Sequence, residues 1–171
     1  MKRGFTMTEL LVVVAIVIVL AGVALPVITG MRERVLQASC VSQLRGLGVA
    51  MEGYLSDNGN FFPDIKMGRK SKSGGNNVLE KVLLPYAGGP EDFHCPADHE
   101  HFDKTGCSYF WNHHASGKRK SMVIRYGSDS TESQIPLIHD KEANHGDENG
   151  TNFLFMDMSA GKDLNFDVDT E

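Results

Sequence analysis

The sequence predicts an α+β domain carried on one long N-terminal helix. Three observations lead there. An uncharged apolar run extends from Leu10 to Ile28, and an apolar stripe at helical spacing follows from Cys40 to Tyr54. Beyond them, short strand-like runs alternate with loops rich in Gly, Ser and Asp. A helix laid on a small antiparallel sheet is the arrangement that order of elements favours.

The chain has 171 residues, enough for one domain and an anchor but too few for two independent cores. Its formal net charge is −5, with no Lys/Arg stripe. An acidic chain of this kind is a poor nucleic-acid binder. The basic residues Lys66, Arg69, Lys70 and Lys72 stand in a Gly/Ser-rich stretch and read as a solvated loop.

Leu10 to Ile28 has the length to cross a hydrocarbon core of roughly 30 Å, since about 20 helical residues suffice. Its β-branched residues do not oppose a helix, because in lipid only a helix satisfies its own backbone. Lys2 and Arg3 precede the run, which predicts a cytoplasmic N-terminus and an outward C-terminal domain. A secretory signal ending at Gly22-Val23-Ala24 would place Glu9 at the start of its apolar core. A plain anchor leaves Glu9 unexplained, although a carboxylate at a membrane helix calls for a partner.

Pro26, flanked by Gly22 and Gly30, is the expected bend or melting point. Helical period then resumes through Cys40, Leu44, Leu47, Met51 and Tyr54, and "SDNGNFFP" ends it. Gly46 and Gly48 weaken this helix and would permit close packing of a sheet. Residues 64–77 read as a loop, and "VLEKVLLPYAGG" as a short helix stopped by Pro85 and Gly88. Strands are expected at 107–112, 121–126, 135–140 and 151–158.

Cys40, Cys95 and Cys107 would meet an oxidising compartment, so a disulfide is expected. Three single pairings are possible, and the short loop favours Cys95 with Cys107. His94, His99, His101, His113 and His114 crowd the same region. A zinc set of Cys95, His99, Cys107 and a later His matches no standard spacing, so surface or satisfied histidines are the expectation. Asp140, Asp147, Glu148, Asn152 and Asp157 offer oxygen ligands for Ca²⁺ without the spacing of an EF-hand, and a solvated hairpin is the simpler reading. There is no Gly-x-Ser-x-Gly, phosphate loop or His-Glu-x-x-His. An enzyme is therefore not expected.

"KRGFTMTELLVVVAIVIVLAGVALP" resembles the N-terminal segment of type IV pilins and type II secretion pseudopilins. That resemblance implies cleavage between Gly4 and Phe5 by a membrane-embedded prepilin peptidase, with methylation of the new Phe5 amine. It implies that Glu9 pairs with the Phe5 amine of a neighbouring subunit in a filament, and that Pro26 marks the family's helix bend. The corresponding organisation is a leader at 1–4, a transmembrane and filament-core helix at 5–29, an amphipathic helix at 30–62 and an α+β head at 63–171. Partners would be the peptidase, other pilin or pseudopilin subunits and the inner membrane, with the head in the periplasm. Calcium binding by the head is a known property of major pseudopilins.

A second resemblance concerns the head. "ASCVSQLRGLGVAMEGYLSDNGNFFP", "FHCPAD", "SYFWN" and "IPLIHD…NHGDENGTNFLFMDM" are similar to a pseudopilin-like group with a helix Cys, a Cys-Pro motif and a closing His…Asp-Gly motif. The analogy implies a Cys40–Cys95 bridge that leaves Cys107 free. The closing motif departs from the group's pattern, because eleven residues rather than nine separate His145 from Asp157, and Met158 replaces the Gly. The expected function is a structural filament subunit. The alternative is a membrane-anchored extracytoplasmic binding or metal-dependent domain that never polymerises.

Overall fold

The computed structural model describes residues 6–123, 132–143, 145 and 150–162, without the side chains of 24–30. The chain divides into two compact units, Met1–Val35 and Leu36–Glu171, the second being called the head below. Helix α1 is assigned from Met7 to Asp57 and contributes to both units.

Within the head, the stripe read from sequence is the buried face of α1. Cys40, Leu44, Leu47 and Met51 are fully buried, and Leu55 continues the row. Spacings of three and four residues put these side chains above one another on one side of the helix. The helix stops where Asn58 and Gly59 form a turn, with Gly59 and Asn60 both at positive φ. At Gly48 an added Cβ would stand 3.1 Å from Leu154 Cδ1 and 3.3 Å from Met158 Cβ, so glycine lets the helix approach the sheet closely. Gly46 has open space around it and plays no such part.

Two short helices follow, α2 (Leu79–Val82) and α3 (His101–Thr105). Four antiparallel strands form a sheet in chain order: β1 (Tyr109–Trp111), β2 (Pro136–Asp140), β3 (Phe153–Phe155) and β4 (Ala160–Gly161). Tyr109 pairs with Asp140, Trp111 with Ile138, Ile138 with Leu154, and Leu154 with Ala160. A register shift between Pro136 and Ile138 breaks strict alternation, and both Leu137 and Ile138 are buried there. The α+β class predicted from sequence is the class observed.

The predicted strand at 121–126 is corrected in its described part. Ser121 and Met122 lie in a 3-10 turn, Lys120–Met122, and 124–126 lie outside the described residues. The apolar and β-branched run in "SMVIRY" suggests a strand, but Lys120 N donates to Asn60 O and turns the chain instead. The two-residue β4 and the short α3 were too brief to leave a periodic signal.

Arg69 is also corrected. It is not a solvated loop residue: its Nε lies 2.7 Å from Glu80 Oε1 with both side chains nearly excluded from solvent. Arg69 also donates to the carbonyls of Thr105 and Lys72. A guanidinium held in this way fastens the 64–77 loop to α2 and α3.

Candidate functional site

Among the described residues, the N-terminal unit presents an exposed apolar surface. From Leu10 to Val23 its large side chains are about half exposed or more, from 47% at Val14 to 68% at Leu11. A helix apolar on all sides is ordinarily enclosed by protein or lipid. Among the described residues no helix is long and apolar enough to cross a membrane. Pro26 falls within α1, and its side chain lies outside the described residues. Gly4 and Phe5 also lie outside them.

Glu9 has a local partner that the sequence reading missed. Thr6 N and Thr6 Oγ1 donate to Glu9 Oε2 at 2.9 and 2.7 Å, and Glu9 N donates back to Thr6 Oγ1 at 3.3 Å. Thr6 precedes the first helical residue, Met7, and Glu9 is the third residue of the helix. This is a reciprocal capping box, and its signature Thr-x-x-Glu was legible in "TMTE". The acid that seemed to lack a use in an anchor closes the exposed amides of its own helix.

In the head, a disulfide joins Cys40 to Cys95 and ties α1 to the segment before α3. Cys107 is the free cysteine; it is buried, with Sγ 3.4 Å from Tyr109 O, and burial pushes its thiol up to about 12. The zinc set Cys95, His99, Cys107 and a later His is therefore not assembled, because one of its cysteines is bonded elsewhere. His99 is exposed, His94 stacks on Phe102, and His101 faces Glu142 at 2.7 Å.

His145 is different. It is buried with Nε2 3.6 Å from Cys95 Sγ and 3.5 Å from Asp140 Oδ2. Asp140 Oδ2 accepts from Asn152 N at 2.8 Å and from Asn152 Nδ2 at 2.9 Å, so Asp140 and Asn152 are joined as a buried pair. Of the other calcium candidates, Asp157 is exposed and accepts from Ser159 N and Oγ. Asp147 and Glu148 lie outside the described residues. The structure thus brings together Asp140 and Asn152 from the predicted set and adds His145 to them.

Around this cluster the polar groups are held firmly. Asp98 accepts from the amides of Glu100, His101 and Phe102 and so caps α3. Burial raises its carboxyl, but hydrogen bonds from the Ser108 hydroxyl and those amides outweigh it and hold the group below the usual range. Tyr109 is raised by burial first and by the Asp140 charge second. Lys141 donates to Thr105 Oγ1 and Cys107 O, and burial lowers its ammonium.

Residues 1–25 match the family model of the prokaryotic N-terminal methylation motif. Over 70 residues the chain is 36% identical to type II secretion system core protein G of Pectobacterium carotovorum subsp. carotovorum, covering 41% of this chain and 44% of that protein. Over 84 residues it is 34% identical to type II secretion system core protein G of Escherichia coli (strain K12), covering 49% of this chain and 53% of that protein. The chain thus spans about half the length of the curated relatives it matches. No solved structure matches it significantly. The resemblance to pseudopilins read from the first residues therefore extends to named relatives.

Proposed function

We propose that this chain is a structural subunit of a type II secretion or type IV pilus-like filament. On this reading prepilin peptidase cuts between Gly4 and Phe5, and Leu10 to Ile28 inserts in the inner membrane before entering the filament core. The N-terminus faces the cytoplasm and the head the periplasm, where an oxidised cysteine pair is at home. It acts by assembly with other pilin or pseudopilin subunits, without catalysis. The observation that carries the reading is the exposed apolar surface from Leu10 to Val23, which lies within the segment, residues 1–25, that matches the N-terminal methylation motif.

In a filament, Glu9 would exchange its local cap for the charged Phe5 amine of a neighbour. Excluding water strengthens such a pair and penalises registers that leave the acid alone. The alternative, an anchored domain that does not polymerise, has one observation in its favour: Glu9 is already occupied by Thr6.

Glu9→Gln separates the two. Glutamine keeps the capping box but removes the charge. Loss of filaments in Glu9→Gln supports charge pairing between subunits. Normal assembly in Glu9→Gln with a defect only in Glu9→Ala reduces the residue to a helix cap. Mass spectrometry of the mature N-terminus tests the processing step: a chain beginning at methylated Phe5 is expected, and one that retains its first four residues would refute it.

A further inference from the structure

We propose that Cys95 is the thiol through which the head's bridge is made, with His145 as the group that takes its proton and Cys40 as the thiol that closes the ring. The substrate is a disulfide oxidant, and the Cys40–Cys95 bond in the structure is the product. Every chain starts with both thiols, so the order in which they react is set by what surrounds each of them.

The surroundings are unequal. His145 Nε2 lies 3.6 Å from Cys95 Sγ and 3.5 Å from Asp140 Oδ2, and all three residues are buried. A thiol reacts as the thiolate, and an imidazole beside it promotes that form by receiving the proton. Asp140 favours the transfer. A buried carboxylate calls for an opposite charge, and the ring beside it becomes a cation only with the proton added. Asp140 Oδ1 is buried without a hydrogen-bond partner, while Oδ2 is held toward the ring by Asn152 N and Nδ2.

These groups are placed without help from α1. Asp140 ends β2, Asn152 precedes β3, and Asp140 N donates to Asn152 O. A Cβ on Gly150 would come within 3.0 Å of His145 N, so glycine lets the chain lie against the residue that bears the imidazole. Ser108 brings Cys95 to the same place: its hydroxyl accepts from Cys95 N, its amide donates to Phe93 O, and its carbonyl accepts from Lys141 N. Cys95, His145 and Asp140 thus belong to the sheet side of the head, whereas Cys40 belongs to the helix. The helix supplies Cys40, Leu44 and Leu47 to the core that encloses Cys95, so the oxidant reaches Cys95 before the helix docks.

Electrons and protons balance over two exchanges. The Cys95 thiolate attacks one sulfur of the oxidant, forming a mixed disulfide and expelling a thiolate that takes the proton held on His145. Cys40 then loses its proton to solvent and attacks Cys95 Sγ, and the second half of the oxidant leaves and is protonated. Two protein thiols are oxidised, and one disulfide is reduced to two thiols. Cys107 takes no part, its buried thiol being bonded to Tyr109 O.

The test uses the full chain in detergent. It is reduced with a water-soluble phosphine, freed of it, and mixed with oxidised glutathione, and acid-quenched samples are mapped by peptide mass spectrometry. Glutathione is expected on Cys95 first, with the Cys40–Cys95 bridge following and Cys107 unmodified. In Cys40→Ser the Cys95 adduct should accumulate about tenfold faster than the Cys40 adduct does in Cys95→Ser, since an ordinary thiol is only about 3% ionised near pH 7. His145→Gln removes the proton acceptor and keeps a polar side chain. It should slow capture at Cys95 by about tenfold and leave capture at Cys40 in the Cys95→Ser background unchanged.

Glutathione found first on Cys40, equal rates at the two cysteines, or a His145→Gln chain that reacts as fast as the parent overturns the proposal. The site mapped in the parent decides even if a variant fails to fold. None of these outcomes depends on whether the chain polymerises.

Discussion

Two parts of the same helix take their apolar side chains to opposite ends. In the N-terminal unit the side chains from Leu10 to Val23 are exposed, and in the head Cys40, Leu44, Leu47 and Met51 are sealed from solvent. Composition and periodicity both separate these fates: the second stretch, about half apolar, confines its buried residues to one stripe that a sheet can cover, whereas the first, apolar at every position but Gly22, has them on every side. The second part joins Leu137, Ile138 and Leu154 of β2 and β3 in one core, while the first stays exposed among the described residues.

The disulfide gives the largest test of that contrast. Cys40–Cys95 closes a sequence separation of 55 residues, for which chain entropy gives about 4 kcal/mol of stabilisation. In metal-free buffer, Cys40→Ala with Cys95→Ala should lower the head's unfolding free energy by about that amount in guanidinium titrations. The helical signal of the N-terminal unit should not follow. A head that unfolds at the same denaturant concentration would show that packing alone holds α1 to the sheet.

Next comes a matched pair of truncations. Leu47→Ala empties a fully enclosed position and should cost about 2–5 kcal/mol. Val14→Ala removes exposed methyl groups and should leave the head's stability within about 0.5 kcal/mol. Its effect should appear in assembly or membrane retention instead. Equal losses of stability in the two variants would mean that the first stretch is covered by its own chain.

What the sequence disclosed follows the same division. The stripe from Cys40 to Met51 was legible because burial repeats every three or four residues, and strands at "SYFWN" and "IPLIHD" because aromatic and β-branched residues gathered between turns. The Arg69–Glu80 pair was hidden, since a Gly/Ser-rich loop gives no sign that one of its cations turns inward. His145 was visible as part of a motif, but its approach to Cys95 depends on the pairing of β2 with β3 and on the chain lying close at Gly150. The role of Thr6 with Glu9 was present in four letters. The apolar run that follows hides it, since it sets the acid against the membrane rather than against the helix terminus beside it.

The head's buried ionisable groups give it a pH dependence of its own. Asp98 is depressed in the folded state, so its contribution is present above the ordinary carboxyl value of 3.8 and is lost as pH falls through the lower folded one. Cys107 is raised from 9.0 to about 12, so its contribution is whole below 9.0 and declines above it by up to about 1.4 kcal/mol per pH unit. Tyr109 declines in the same sense, while Lys141 opposes both until its ordinary value of 10.5. The head's melting temperature should therefore fall most steeply above pH 10.5. Cys107→Ala should remove the component that begins near 9.0, and an unchanged alkaline limb would show that the thiol does not set it.

The smallest effect lies where the chain departs from the Asp-Gly pattern. Met158 stands in place of the expected Gly and has φ 64°, the left-handed conformation a glycine would adopt freely. The turn is thus kept without the residue that favours it. It is held by Asp157 Oδ1 on Ser159 N and by Met158 N on Phe155 O, while the Met158 side chain packs against the core beside Gly48. Met158→Gly relieves backbone strain of about 1–2 kcal/mol and gives up a partly buried side chain of similar worth. The net change should stay within about 1 kcal/mol in thermal melts. Met158→Val loses packing and keeps the strain, which a β-branched residue bears badly, so it should be the less stable of the two. If instead Met158→Gly were destabilised as strongly as Leu47→Ala, the turn would owe its shape to the methionine side chain rather than to the hydrogen bonds around it.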